Sequence, residues 1–124
     1  MAADKEITIT PFQTRVYALL AQIPEGRVST YASLSKALGS SPRAVGGALR
    51  RNPFAPRVPC HRVIQADGYV GGFKGEWQKA PSGLNQVMKL EILAREGVRF
   101  DEKGVLVDRG RLWDRFDVKA EGSI

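Results

Sequence analysis

The chain holds one cysteine and one histidine in 124 residues. A lone thiol cannot close an internal disulfide, which fits a reducing intracellular setting. One residue of each type also falls short of the ligands a Cys/His zinc site needs. No metal and no cofactor are expected. No apolar run approaches the roughly 20 residues that a membrane-spanning helix requires, so no membrane partner is expected. The first six residues include two acids and a lysine, which does not fit a secretory leader. Internal repeats, low-complexity tracts and long linkers are also missing. Acidic residues are the scarcer charge, 13 against 19 basic ones, and the formal net charge is +6. That balance suits a polyanionic partner, of which nucleic acid is the commonest, although many basic proteins bind none.

What is present reads as one globular domain. The domain is expected over residues 10–116, between a tail at 1–9 and a loose polar tail at 117–124. Thr10, Pro11 and Gln13 form a helix start, with a capping box and proline at the first helical position. Phe12, Val16, Leu19, Leu20 and Ile23 follow as one apolar stripe, and Pro24 and Gly26 are the stop signals. Ser29 or Thr30 caps a short helix from Tyr31 to Leu38, which Gly39 ends. Ser41 caps a third helix, with Pro42 at its first position, running to about Arg51. Two short helices joined by a Gly-Ser-Ser turn suggest a helix-turn-helix.

On that third helix Ala44, Val45, Ala48 and Leu49 fall on one side, and Arg43, Gly46, Gly47, Arg50 and Arg51 on the other. A glycine inside a helix costs roughly 1 kcal/mol against alanine. Two in succession call for close approach to another surface. A nucleic-acid groove and a neighbouring helix both fit, and the spacing leaves the two open. Further on, Ala66-Asp67-Gly68 between Val63, Ile64, Gln65 and Tyr69, Val70 signals a β-hairpin. A glycine-rich loop follows at residues 71–75. Ser82 starts a last helix, with Leu84, Val87, Met88, Ile92 and Leu93 mostly inward and Gly97 past its end. Residues 98–100 and 105–107 suggest a second hairpin.

Cys60 and His61 are adjacent. On a true strand they would point to opposite faces, so mutual contact needs a turn at Pro59-Cys60 or a bridging water. A free thiol is only a few per cent ionised at neutral pH. A histidine oriented by a carboxylate would raise the reactive fraction. Taken alone, a lone cysteine is more often a buried structural residue.

Pro59-Cys60-His61-Arg62-Val63 resembles the active-site signature of the O6-alkylguanine-DNA alkyltransferases. Residues 43–53, from Arg43 to Pro53, resemble the recognition helix and asparagine hinge of the same family. Val28 to Tyr31 resembles the start of its helix-turn-helix, and Leu93 to Gly97 the segment that supplies its glutamate. The resemblance runs from about Phe12 to about Phe100. It implies a mostly helical domain with a small β-hairpin, a winged-helix-like helix-turn-helix. It implies that Cys60 accepts an alkyl group irreversibly from O6-alkylguanine in double-stranded DNA. His61 would act as base through a water, Glu96 would orient His61, and Asn52 would hold the hinge. Tyr31 would press on the target phosphate and protonate the leaving guanine. Arg43 would fill the gap left by the flipped base. Ser41, Gly46, Gly47, Arg50 and Arg51 would complete the DNA-facing surface. Backbone groups of Cys60 and Val63, with the loop at Phe73, Lys74 and Gly75, would line the base pocket.

The resemblance also implies a monomer acting beside the DNA, in the nucleus of a eukaryote or the cytoplasm of a prokaryote. Short relatives, the alkyltransferase-like proteins, bind alkylguanine without removing it and hand it to nucleotide excision repair. They usually carry tryptophan or alanine where this chain has Cys60, which favours transfer. A helix-turn-helix regulator is a third reading, and it leaves Pro-Cys-His-Arg and Glu96 without a purpose.

Overall fold

In the computed structural model, which describes residues 9–54, 57–71 and 86–118, the first helix, α1 (Pro11–Leu20), is set by its capping box. Thr10 Oγ1 accepts from the Gln13 N–H and the Thr10 N–H donates to Gln13 Oε1, both at 3.0 Å. The helix ends before the Pro24 and Gly26 stop signals. Gln22 N–H reaches Leu19 O and Ile23 N–H reaches Leu20 O, each at 3.0 Å. This tightening to three-residue spacing satisfies carbonyls that the helix would leave open and turns Ile23 into the core.

β1 (Ser29–Thr30) leads directly into α2 (Tyr31–Leu38), whose cap Thr30 accepts from the Ser33 N–H at 3.0 Å. Gly39 closes α2 in the left-handed region at φ 66°, where glycine has no Cβ penalty. Ser41 then caps α3 (Pro42–Arg50), accepting from the Ala44 N–H at 3.2 Å. α1, α2 and α3 close over one core that includes Val16, Leu19, Leu20, Leu34, Val45 and Leu49. The Tyr17 hydroxyl pins α3 to α1: it donates to Ala48 O at 2.7 Å and accepts from Gln13 Nε2 at 3.0 Å. Ala44, placed on the inward side by periodicity, is exposed, and Val45, Ala48 and Leu49 make the buried stripe.

The β-structure departs from the local reading. The reverse turn at residues 66–68 forms, with Gln65 N–H donating to Tyr69 O at 2.9 Å. Its two arms pair elsewhere. β2 (Val63–Ile64) lies parallel to β1, with Ser29 opposite Val63 and Thr30 opposite Ile64. Tyr69 instead bridges antiparallel to Val105. The second expected hairpin is present, with Phe100 opposite Leu106. The fold is mostly helical with a small β component, a helix-turn-helix of winged-helix-like form.

The last helix, α4 (Gln86–Arg95), also differs from expectation. Val87 and Met88 are 58% and 41% exposed, whereas Lys89 and Leu93 are buried. The inward stripe runs through positions 89, 93 and 96, one helical face, because α4 packs on the turn that carries Cys60. Asp117 is tied down rather than loose: its N–H donates to Gln22 Oε1 at 2.8 Å and its carbonyl accepts from Gln22 Nε2 at 3.0 Å. Ser82 and Leu84 lie outside the described residues. Among the described residues no helix is long and apolar enough to cross a membrane.

Candidate active site

The parallel β1–β2 pair decides the site. It places Tyr31, the first residue after β1, beside the turn that precedes β2. That turn is a single 3-10 turn, Cys60–Arg62, with Cys60 N–H donating to Val58 O at 2.8 Å and Arg62 N–H to Pro59 O at 3.0 Å. It is the turn that adjacent Cys60 and His61 require to serve one site, and both side chains are buried.

His61 Nε2 lies 3.0 Å from Glu96 Oε2. The same carboxylate accepts two bonds from Arg62, Nε to Oε1 at 3.0 Å and Nη2 to Oε2 at 2.8 Å, and Arg62 Nη1 donates to Ile23 O at 2.8 Å. An ionised carboxylate only accepts, so the imidazole proton belongs on Nε2. Nδ1 is then the basic nitrogen, and it is buried with no protein partner among the described residues. Burial lowers the His61 pKa, opposed by Glu96 and reinforced by the positive charges of Arg62 and Lys89. Burial works to raise the Glu96 pKa, but hydrogen bonds from Arg62 and His61 prevail and hold it below the usual carboxylate range. The pair is therefore a neutral imidazole oriented by a carboxylate.

Burial pushes the Cys60 thiol up, against the lowering influence of Asn52, the Lys89 charge and its own backbone amide. The resting sulfur is thus a protonated thiol. Asn52 is fully buried; its Nδ2 donates to Val58 O and its Oδ1 accepts from the Phe54 N–H, both at 2.9 Å. It joins the end of α3 to the segment leading into Cys60. Tyr31 is partly buried, and desolvation, with Cys60 adding to it, raises its phenol to about 12. It keeps its proton at any physiological pH.

Sequence reasoning missed Arg62 and Lys89 as site residues. Lys89 Nζ donates to Val63 O at 2.8 Å, and burial pushes its pKa down to about 8, opposed by Cys60. Its spacing of four from Leu93 and seven from Glu96 was the available signal. Val63 is itself fully buried. Gly71 has φ +84°, and a Cβ there would stand 3.7 Å from Lys89 Nζ and 3.9 Å from the Tyr31 ring. Tyr31, Gly71 and Lys89 thus converge on one spot. Phe73, Lys74 and Gly75 lie outside the described residues. Among the described residues no cluster of His, Cys, Asp and Glu could hold a metal ion.

The outer face of α3 carries Arg43 and Arg50 exposed, with Ser41 and Arg51 exposed at its two ends. A Cβ on Gly46 would meet nothing within 4 Å, and one on Gly47 would meet only the flexible Arg51 Nη1 at 3.6 Å. No neighbouring helix in the described chain requires either glycine, so the packing explanation fails for both. Gly46→Ala should therefore stabilise the isolated protein by about 0.5–1 kcal/mol while weakening any partner that approaches this face. Urea unfolding and a binding titration on the same variant check the two opposite signs.

The family model described as 6-O-methylguanine DNA methyltransferase, DNA binding domain, matches residues 11–98. A methylated-DNA--protein-cysteine methyltransferase of Methanothermobacter thermautotrophicus is 40% identical over 92 residues, 74% of this chain and 47% of that protein. A DNA base-flipping protein of Thermus thermophilus is 50% identical over 89 residues, 72% of this chain and 54% of that protein. The chain spans about half the length of these curated relatives. The crystal structure of S. pombe Atl1 in complex with damaged DNA containing O6-carboxymethylguanine is 26% identical with a TM-score of 0.65. That match covers 86% of this chain and 98% of Atl1.

Proposed function

Because this chain belongs to the 6-O-methylguanine DNA methyltransferase family through its DNA-binding domain, we propose that it takes the alkyl group from O6-alkylguanine in duplex DNA onto Cys60. The observation that carries this reading is the His61–Glu96 pair, which leaves Nδ1 without a partner among the described residues, in the same short turn as the buried Cys60.

An O6-alkyl carbon lies within the base stack, so the base must first leave the duplex, at a few kcal/mol. Arg43 occupies the vacated place. The face of α3, open at Gly46 and Gly47, allows the backbone to enter a minor groove only about 6 Å wide, and Ser41, Arg50 and Arg51 contact phosphates. The flipped purine is taken up beside Cys60, Tyr31, Val63 and Gly71. His61 Nδ1 takes the thiol proton through one water. The sulfur attacks the alkyl carbon in line, a C–S bond forms, and the C–O6 bond breaks with its electron pair left on guanine. Tyr31, still protonated, supplies a proton to the leaving base and regains one from solvent, while His61 releases the thiol proton to solvent. A thioether has no route back to a thiol here, so each molecule acts once. Asn52 keeps the recognition helix and the active-site turn in register.

The near-complete coverage of S. pombe Atl1 favours a second reading: the chain binds alkylguanine without transfer and presents it to excision-repair proteins. Mass spectrometry after mixing with a duplex containing O6-methylguanine separates the two. Transfer yields one methyl group per chain on the Cys60 peptide and no further turnover. An unmodified Cys60 despite lesion-selective binding establishes the second reading. Equal affinity for damaged and undamaged duplex, or affinity indifferent to salt where several phosphate contacts demand a steep decline, rules out both.

A further inference from the structure

Lys89 has no part in the reaction as derived above, yet it is the buried cation of the site. Lysine is among the residues least often fully buried without a partner. Here it is 8% exposed, and its Nζ donates to one neutral carbonyl, Val63 O, at 2.8 Å. That carbonyl begins β2, directly after the turn carrying Cys60, and α4 holds Lys89 against this turn on the face that also supplies Glu96. A hydrocarbon side chain would fill the same space without the desolvation penalty of an ammonium.

The groups facing Cys60 can be taken element by element. α1 contributes the Tyr17 phenol and α2 the Tyr31 phenol, both with raised pKa values and therefore neutral. The segment after α3 contributes the Asn52 amide. The active-site turn contributes His61, neutral, and Arg62, whose charge is spent on Glu96. α4 contributes Lys89, and the turn that follows it contributes Glu96, committed to His61 and Arg62. Of these, Lys89 supplies the positive charge that favours an ionised sulfur.

Resting on the transfer reading, we propose that Lys89 is the charge partner of Cys60: its ammonium stabilises the thiolate as the thiol gives up its proton. Lys89 is thus a positioning residue. The resting thiol and the final thioether are both neutral, so the ammonium acts only while the sulfur is ionised.

The test needs no DNA, so its failure is distinct from failure of the repair reading. The rate at which iodoacetamide alkylates Cys60 is followed against pH in the unsubstituted protein and in Lys89→Met. The midpoint should rise by about one unit or more, and the rate at neutral pH should fall about tenfold, as expected for loss of a nearby opposite charge. An unchanged midpoint in folded Lys89→Met overturns the proposal. A second variant, Lys89→Arg, keeps a positive charge at the site. Its midpoint should stay within about half a unit of the unsubstituted value, and a rise as large as that expected for Lys89→Met overturns the proposal. Shifted midpoints without methyl transfer from DNA would retain the Lys89–Cys60 pairing and discard the repair reading.

Discussion

Cys60→Ala abolishes alkyl transfer completely, while duplexes containing O6-methylguanine are still bound within a few-fold of the unsubstituted affinity. The expectation follows from where the two functions sit. The sulfur is 7% exposed at the base of the site, whereas the arginines assigned to DNA contact lie on the outer face of α3. Losing one buried sulfur removes few contacts and costs about 1 kcal/mol of stability, at the low end for truncation of a core side chain. No other thiol exists in the chain to take over. Intact-protein mass spectrometry, paired with fluorescence anisotropy on a labelled duplex, measures both quantities. Methyl transfer persisting in this variant would remove Cys60 from the mechanism altogether.

Glu96→Gln should be nearly as damaging, for two separable reasons. The neutral amide no longer fixes the proton on His61 Nε2, so Nδ1 ceases to be reliably basic. Transfer should slow by about 100-fold or more, within the range lost when general-base catalysis fails. The substitution also leaves the Arg62 guanidinium, 16% exposed, without its carboxylate. That should cost about 2 kcal/mol, between the worth of an exposed pair and the penalty for breaking a fully buried one.

The stability difference has a defined pH dependence. The carboxyl is held below its ordinary 4.5 in the folded state, so the unfolded chain binds the proton first as pH falls. The contribution of Glu96 is fully present above about 4.5 and is lost as pH drops through the lowered folded value. Urea midpoints of the unsubstituted and Gln proteins should differ at neutral pH and converge in acid. A difference that persists in strong acid would mean that packing, not charge, accounts for it. The arms are independent: a slowed but stable variant would confine Glu96 to orienting His61.

The protonated resting state of Cys60 bears on both results. Burial raises the thiol and outweighs the lowering influence of Asn52, the Lys89 charge and its own backbone amide. Ionisation is therefore deferred until a base and a counter-charge act together. A sulfur kept as thiol is less exposed to adventitious oxidation and alkylation than a standing thiolate. Under the proposed single transfer, that restraint would preserve the reactive group for its substrate.

Much of this protein was legible locally. Thr10 with Gln13, Thr30 before Tyr31, Gly39, and Ser41 with Pro42 are signals whose physics is complete within four residues, and each helix they announce formed at the expected start. The run from Pro59 to Val63, together with Asn52 and Glu96, carried the resemblance to the alkyltransferases, and the chemistry proposed for the thiol, imidazole and carboxylate came from that resemblance. What lay beyond the sequence depended on distant segments meeting. Val63 and Ile64 pair with Ser29 and Thr30 rather than with their own hairpin arm, since strand register is settled by burial across the fold and not by the nearest turn. Lys89 faces inward while Val87 and Met88 face out, because this part of α4 covers the active-site turn, whereas Leu93 further along enters an apolar cluster with Val28, Ile64, Val98 and Leu106. The empty space over Gly46 and the raised pKa of Cys60 likewise belong to the tertiary structure. Both are set by which atoms are near and which are missing, and that is a property of three-dimensional packing that no run of neighbouring residues encodes.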